Sequence, residues 1–160
     1  MHSGGIVKDW SMRVTVSAVT ERDGKFLLVE ETVRNNIVIN NPAGHLENNE
    51  TLTDAVVREV MEETGCTFEP HGVTGIYLWK TPKGDRTFVR VNFFGACLDE
   101  DGTAILDDGI LRKLWLTRAE LLSMKARLRS PMVLQCIDDY LSGKRYPLEA
   151  LRDMGQGFED

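Results

Sequence analysis

The chain has 160 residues, of which 42% are hydrophobic and 28% are charged, a balance typical of a globular domain rather than of a disordered or fibrous protein. Its 25 acidic residues outnumber its 19 basic ones, and the formal charge of −6 argues against broad binding to a DNA backbone. There is no apolar run of the roughly 18 residues needed to span a membrane, and no signal-peptide pattern. We expect one cytoplasmic domain over 1–160, with a core of about 12–150 and flexible termini at 1–5 and 153–160.

The first third of the chain has the composition of β-strands. Residues 12–20 alternate and are rich in β-branched side chains, and residues 26–30 resume the pattern after a turn at 22–25 that contains Gly24. These two strands are predicted to form a hairpin. Residues 34–41 predict a short strand or loop ending at Pro42, followed by a break at 43–45.

The rest of the chain alternates between helical and extended patterns. A helix is predicted over 51–64, with Thr51 or Thr53 as its N-cap and Gly65 as its stop. Strands are predicted over 73–80 and 87–98, joined as a second hairpin by the turn 81–86, and then over 111–116. Helices are predicted over 118–123 and 131–141. This order indicates an α+β fold, a mixed sheet sandwiched between helices, rather than a doubly wound parallel sheet.

The three cysteines, Cys66, Cys97 and Cys136, are widely spaced and form no C-x-x-C pair. No histidine lies near them at the spacing of zinc ligands. We therefore expect them to be core residues rather than members of disulfides or of a zinc knuckle.

The helix predicted over 51–64 concentrates the acidity of the chain. On a helical wheel its valines and Met61 share one arc of roughly 140°, while Glu59, Glu62 and Glu63 share an adjoining arc of about 100°. Like charges at this spacing repel each other, and two of them lie in the last turn, where the helix dipole disfavours anions. Such a triplet fits either a solvated acidic face or a set of oxygen ligands for Mg²⁺ or Mn²⁺.

The residues around the triplet form a longer motif: Gly44, five residues, Glu50, seven residues, and then Arg58 to Gly65, which read R-E-V-M-E-E-T-G. This pattern resembles the Nudix box, with every charged and glycine position filled, and it departs only in having Cys66 at the final aliphatic position. Further segments resemble the NudJ-type phosphatase branch of the Nudix hydrolases, and the likeness covers roughly 12–150: residues 41–46, Trp79, 129–131 and 143–149.

The resemblance implies an α/β/α Nudix fold and a site for Mg²⁺ or Mn²⁺. By analogy Glu59 and Glu63 are direct metal ligands, together with the main-chain carbonyl of Ala43 or Gly44. Glu62 is either a third ligand or the general base. An acid further along the chain often completes the metal site in this family, and either Asp107 or Asp108 could supply it.

The same resemblance assigns supporting and substrate-binding roles. Arg58 and Glu50 are expected to form an ion pair that holds the loop before the helix. Arg13, Lys80, Arg86 and Arg90 border the expected cleft and are candidates for binding phosphates. Trp79 is a candidate for stacking on an aromatic ring, and His45 for approaching a phosphate. The alternatives are a solvated charge for each basic residue, a packing role for Trp79 and a structural role for His45.

The function implied by the resemblance is hydrolysis of phosphoanhydride bonds in small organic di- and triphosphates, including nucleoside and thiamine-type diphosphates, with release of orthophosphate. One alternative is a pyrophosphatase for nucleotide sugars or ADP-ribose. Two others are a non-catalytic nucleotide-binding module and an acidic surface that recruits a basic protein. The oligomeric state, monomer or homodimer, stays open. Six acidic residues and a single arginine lie within 44–65, so most of the net charge belongs to this one segment.

Overall fold

A computed structural model describes residues 10–155 of the chain, so residues 1–5 and most of 153–160, the predicted flexible termini, lie outside the described range. Eight strands and three α-helices are present in it. The strands are β1 Ser11–Val19, β2 Glu21–Arg22, β3 Lys25–Val33, β4 Asn36–Asn40, β5 Ala43–His45, β6 Cys66–Lys80, β7 Arg86–Glu100 and β8 Ile110–Leu116. The helices are α1 Leu52–Thr64, α2 Arg118–Ser123 and α3 Met132–Leu141.

The strands form two sheets of four. One sheet has the order β5-β1-β7-β6, in which β1 and β7 are parallel, and the other pairs β3 with β2, β4 and β8. The predicted hairpin between 12–20 and 26–30 is therefore wrong, because β1 and β3 belong to different sheets. The turn at Gly24 instead joins β3 to the two-residue strand β2. Strand β1 pairs with β7 over its full length.

The second predicted hairpin is confirmed, and its strands β6 and β7 are longer than the pattern indicated. The break expected at 43–45 is wrong as well, since these residues form β5 and pair with β1. That short strand holds the loop before α1 against the sheet. It fixes the position of Gly44 relative to the helix, which matters for the site described below.

Two hydrophobic cores lie on opposite faces of the sheets. Leu27 of β3 packs in the core that contains Val56 and Val60 of α1, whereas its neighbours Phe26 and Leu28 pack in the core beneath α2 and α3. Successive residues of one strand thus point to helices on opposite sides. This arrangement is the predicted α/β/α sandwich of the α+β class.

Helix α1 begins and ends where the sequence indicated. The Thr51 hydroxyl accepts a hydrogen bond of 3.0 Å from the Asp54 amide and caps the first turn. Gly65 ends the helix in the left-handed conformation, at φ 70°, and its amide donates to the Met61 carbonyl at 2.8 Å. The two caps fix the ends of the helix, and Glu59 and Glu63 lie against the strand that carries Gly44.

Candidate active site

Two of the three glutamates on α1 are buried under the β5 loop. Glu59 and Glu63 are each 7% exposed, while Glu62 is only half-buried. An added Cβ at Gly44 would overlap the Glu59 carboxylate, so only glycine lets the loop approach this closely. The first glycine of the motif is thereby explained by the closeness of the backbone to a carboxylate.

Arg58 connects the loop to the helix. Its Nε and Nη2 donate to the two carboxylate oxygens of Glu50 at 2.6 and 2.9 Å, which confirms the predicted ion pair. Its Nη1 donates to Glu59 at 2.8 Å and to Glu62 at 3.1 Å, and its Nη2 also reaches the His45 carbonyl at 3.2 Å. These bonds lower the pKa of Glu50 and orient the carboxylates of the helix. Arg58 thus acts on the geometry of the site and is fully engaged by protein groups.

Among residues 10–155, no cation forms an ion pair with Glu63, although Arg90 interacts with it electrostatically. The Ala43 amide donates to its Oε2 at 2.9 Å, but burial dominates and raises the pKa of Glu63 to about 9. The pKa of Glu59 is also raised, again mainly by burial and despite its contact with Arg58. Carboxylates whose charged forms are disfavoured to this extent gain most from a bound cation.

Asp107 completes the acidic group. Its amide donates to the Glu62 carbonyl at 2.9 Å, and carboxylate oxygens of Glu59, Glu62 and Asp107 lie within 4.8 Å of one another. Asp108, the other candidate, is not part of this set. The donor set is all oxygen and partly open to solvent, and the Gly44 backbone lies against it, so the residues present fit a hard divalent cation such as Mg²⁺ or Mn²⁺.

A cleft of about 350 Å³ opens beside these carboxylates. Its lining includes Thr15, Phe88, Arg90 and Arg129 together with β5, Glu59 and Glu63. His45 also faces the cleft, and burial together with the charges of Arg13 and Arg129 lowers its pKa. The cleft is mixed in charge, since it is lined by the acids Glu31, Glu47, Glu59 and Glu63 and by the arginines Arg90 and Arg129.

Arg90 is the unusual residue of the cleft. It is 5% exposed, and its Nε and Nη1 have no hydrogen-bond partner among residues 10–155. Burial lowers its pKa, and Glu31 and Glu63, which face it electrostatically, offset this only in part. A buried guanidinium with free donors is costly unless an anion completes it.

The predicted aromatic residue lies further along the same face. Trp79 stacks on Phe88, with ring centroids 5.6 Å apart and an interplanar angle of 26°. Both rings, together with Arg86 and Arg129, line a hollow that adjoins the cleft, since Phe88 and Arg129 belong to both. Arg13 pairs with Phe88 in the register of β1 and β7 and so lies at the same level, whereas Lys80 lines neither space.

Several cleft residues were missed by sequence reasoning: Thr15, Glu31, Asn40, Phe88 and Arg129. Asn40 donates to Glu31 at 3.2 Å, and both belong to a pair of strands that carries no motif. The alternation of β7 held a signal, because Phe88 and Arg90 are two residues apart and must share a face. The neighbours of that face depend on a strand order that no local pattern reveals.

The described residues contain no helix long and apolar enough to cross a membrane. Comparison with known proteins agrees with the fold. The family model described as the NUDIX domain matches residues 11–135. Phosphatase NudJ of Escherichia coli K12 is 40% identical over 146 residues, which cover 91% of this chain and 94% of that protein.

Solved structures with the Nudix fold are also similar to this chain. A Nudix hydrolase from Nitrosomonas europaea is 45% identical, with a TM-score of 0.88, over 91% of this chain and all of that one. The Nudix domain of Shewanella oneidensis NrtR, solved with ADP-ribose, has a TM-score of 0.66 at 19% identity and covers 82% of this chain and 88% of its own. At that identity the likeness shows the fold alone.

Fold and site together define an α/β/α hydrolase with an acidic helix beside a cleft that also contains two arginines. The chain belongs to the Nudix family. It is accordingly a hydrolase that acts on phosphorus-containing anhydrides. Enzymes of this family generally use a divalent metal ion.

Proposed function

We propose that this enzyme cleaves the phosphoanhydride bond of small organic di- and triphosphates, such as nucleoside and thiamine-type diphosphates, and releases orthophosphate. The observation that carries the proposal is Arg90, whose buried and unpartnered donors lie in one cleft with the Glu59 and Glu63 carboxylates. A phosphate group in this cleft would supply the anion that Arg90 lacks. The resemblance to phosphatase NudJ supports the same class of substrate.

We propose that Mg²⁺ or Mn²⁺ is held by Glu59, Glu63 and the carbonyl of Ala43 or Gly44. Glu62 and Asp107 are either further ligands or, in the case of Glu62, the general base. The cation would neutralise phosphate charge and favour attack of water on phosphorus. Arg58 and Glu50 hold the loop and the carboxylates in position. The enzyme is proposed to work in the cytoplasm, as a monomer or homodimer.

Residues of the cleft divide the remaining tasks. Arg90 holds a non-reacting phosphate oxygen, and His45 and Arg13 border the same path. The Trp79–Phe88 pair offers a flat surface for an aromatic ring, which matches a nucleobase or a pyrimidine. Binding of the organic part at a distance from the acids positions the anhydride for in-line attack.

The test is a substrate panel with Mg²⁺ in which orthophosphate, pyrophosphate and sugar phosphates are measured separately. Orthophosphate from nucleoside or thiamine-type diphosphates is expected. If nucleotide sugars or ADP-ribose are cleaved to two monophosphates and diphosphates are left intact, the proposed substrate class is wrong. Tight nucleotide binding with no product at all would indicate a binding module instead.

Arg90 is tested by Arg90→Met, with Arg118→Met as a control because Arg118 pairs with Asp138 on α3, away from the cleft. Loss of a charged hydrogen bond to substrate should lower kcat/KM by about tenfold to a hundredfold. The Arg118→Met variant should keep the wild-type value. Equal activity of the two variants would remove Arg90 from the substrate site.

A further inference from the structure

A second cluster of metal-binding side chains lies behind the last turn of α1. Cys66 is the first residue of β6, and Cys97 and Glu100 lie near the end of β7. Cys66 pairs with Glu100 and Phe68 pairs with Cys97, with a register shift between Thr67 and Phe68. Both cysteines therefore share one face of the hairpin, and the two sulfurs and a Glu100 oxygen lie within 4.8 Å of one another.

We propose that Cys66, Cys97 and Glu100 form a binding site for a thiophilic divalent cation, of which Zn²⁺ is the preferred one. Two sulfurs and one carboxylate oxygen are three of the four ligands of a tetrahedral zinc site, with a fourth position left to water. With Zn–S bonds of about 2.3 Å, the sulfurs of such a site lie roughly 3.8 Å apart. The observed cluster needs to contract by only about 1 Å to reach this geometry.

The surrounding charges accommodate the ion. Glu100 accepts from Arg22 Nη1 at 2.5 Å and from Lys113 Nζ at 2.6 Å, one cation on each oxygen. A carboxylate has about four lone-pair positions, so Glu100 keeps free lone pairs that can bind a cation beside the cysteines. Arg22 lies near Cys97, but burial outweighs it and raises the pKa of the Cys97 thiol to about 12, so a bound cation must displace that proton.

Binding leaves the charge of the cluster unchanged. Each thiol would release its proton to solvent, two S–metal bonds and one O–metal bond would form, and no electron would be transferred. Two thiolates offset the two positive charges of the ion, while Glu100, Arg22 and Lys113 keep their charges. The ion can enter from the side of Cys97 and Glu100, which are both partly exposed, whereas Cys66 is buried.

The site differs from the acidic group in the ions it selects. Oxygen ligands at Glu59, Glu62 and Asp107 suit Mg²⁺ or Mn²⁺, whereas thiolates select softer ions. Backbone bonds connect the two sites, since the Asp101 amide donates to the Gly65 carbonyl at 2.9 Å and the Asp107 amide to Glu62 at 2.9 Å. The segment from Glu100 to Asp107 is thereby held against the end of α1.

The experiment is a titration of the reduced, full-length protein with Cd²⁺, which reports thiolate binding through its ultraviolet sulfur-to-metal charge-transfer band. We expect one Cd²⁺ per chain, competition by Zn²⁺, and protection of Cys97 from alkylation. The band should be lost in Cys97→Ala and weakened in Glu100→Gln. Two controls should retain it: Cys136→Ala, which removes the thiol of the other core, and Glu62→Gln, which alters the acidic group.

Circular dichroism shows whether each variant folds, and Cys97→Ser provides a second, more conservative change at the same position. A band that survives in both Cys97 variants, or that disappears in Cys136→Ala, would overturn the proposal. So would conversion of Cys66 and Cys97 into a disulfide with no uptake of Cd²⁺ by the reduced protein. None of these readouts depends on hydrolytic activity, so they are independent of the function proposed above.

Discussion

Two buried glutamates of this protein have opposite electrostatic surroundings. Glu30 on β3 and Glu63 on α1 are both 7% exposed. Glu30 accepts from Arg112 at 2.6 Å and from Arg127 at 2.7 Å, and the hydrogen bond from Arg112 is the main reason that its pKa is lowered. Glu63 accepts only from the Ala43 amide in the described part of the chain, and its pKa is raised to about 9.

The difference lies in what covers each carboxylate. The arginine side chains over Glu30 are 66% and 44% exposed, so the burial of Glu30 comes from its own partners at the protein surface. Glu63 accepts a hydrogen bond from the β5 backbone and forms no ion pair within residues 10–155, and Arg90 acts on it only electrostatically. A buried acid that the fold already neutralises is structural, whereas one left uncompensated indicates a place for an external cation.

The largest expected effect is a difference in catalytic turnover between substitutions of the two glutamates. Glu63→Gln, which keeps the hydrogen-bond acceptor for Ala43 but removes the charge, should lower turnover with Mg²⁺ by about a thousandfold or more because a metal ligand is lost. Glu30→Gln should stay within a few-fold of wild type. Phosphate release measured at saturating substrate compares them, and equal losses in the two variants would contradict the distinction.

The next effect sharpens the role of the loop over the helix. Gly44→Ala adds a methyl group where the Glu59 carboxylate lies, so the loop or the carboxylate must move. We expect a loss of about a hundredfold in kcat/KM with the fold retained, because small displacements of catalytic groups are costly. Gly102→Ala is the control, since an added Cβ there meets no atom within 4 Å. A fully active Gly44→Ala variant would show that the close approach is dispensable.

The third effect concerns the stability of the metal-free enzyme. The pKa of Glu63 is about 9 in the folded state against an ordinary 4.5, so the folded protein retains a proton that the unfolded chain loses. The contribution of Glu63 to stability should therefore be full below about pH 4.5 and be lost as the pH rises toward 9. In EDTA at pH 8, Glu63→Gln should be more stable than wild type by about 1 kcal/mol or more, measured by urea unfolding.

Glu30 should respond in the opposite direction. Its pKa is lowered in the folded state, so its contribution is present at neutral pH and is lost as the pH falls through the folded pKa. Glu30→Gln should destabilise the metal-free protein at pH 8. A destabilised Glu63→Gln variant under the same conditions would contradict the comparison.

The smallest effect comes from the arginines over Glu30. Arg127→Met leaves the Arg112 pair in place and removes one partly exposed ion pair, which is worth about 0–1 kcal/mol. Thermal unfolding should shift by a few degrees at most, and less in high salt because exposed charges are screened. A shift in unfolding temperature as large as that of a core truncation would contradict the view that this ion pair is a weak, partly exposed one.

The amino-acid sequence alone determined the helix α1 and the face on which its glutamates lie. These depend on local periodicity, on the Thr51 cap and on the Gly65 stop, all within one segment of chain. The Arg58–Glu50 pair was implied by the resemblance of the motif to the Nudix box. The order of elements and the filled motif also predicted the α/β/α fold and the family. The metal ligands and the substrate residues stay predictions.

Only the tertiary structure decided which distant residues meet. The parallel pairing of β1 with β7 places Arg90 and Phe88 in one cleft with the acidic helix, and it also made the predicted first hairpin wrong. The antiparallel pairing of β6 with β7, which extends well beyond the predicted hairpin, brings Cys66 to Cys97 and Glu100. Local patterns state which face a side chain takes, but strand order and register come from packing the two cores, and no short segment contains that information.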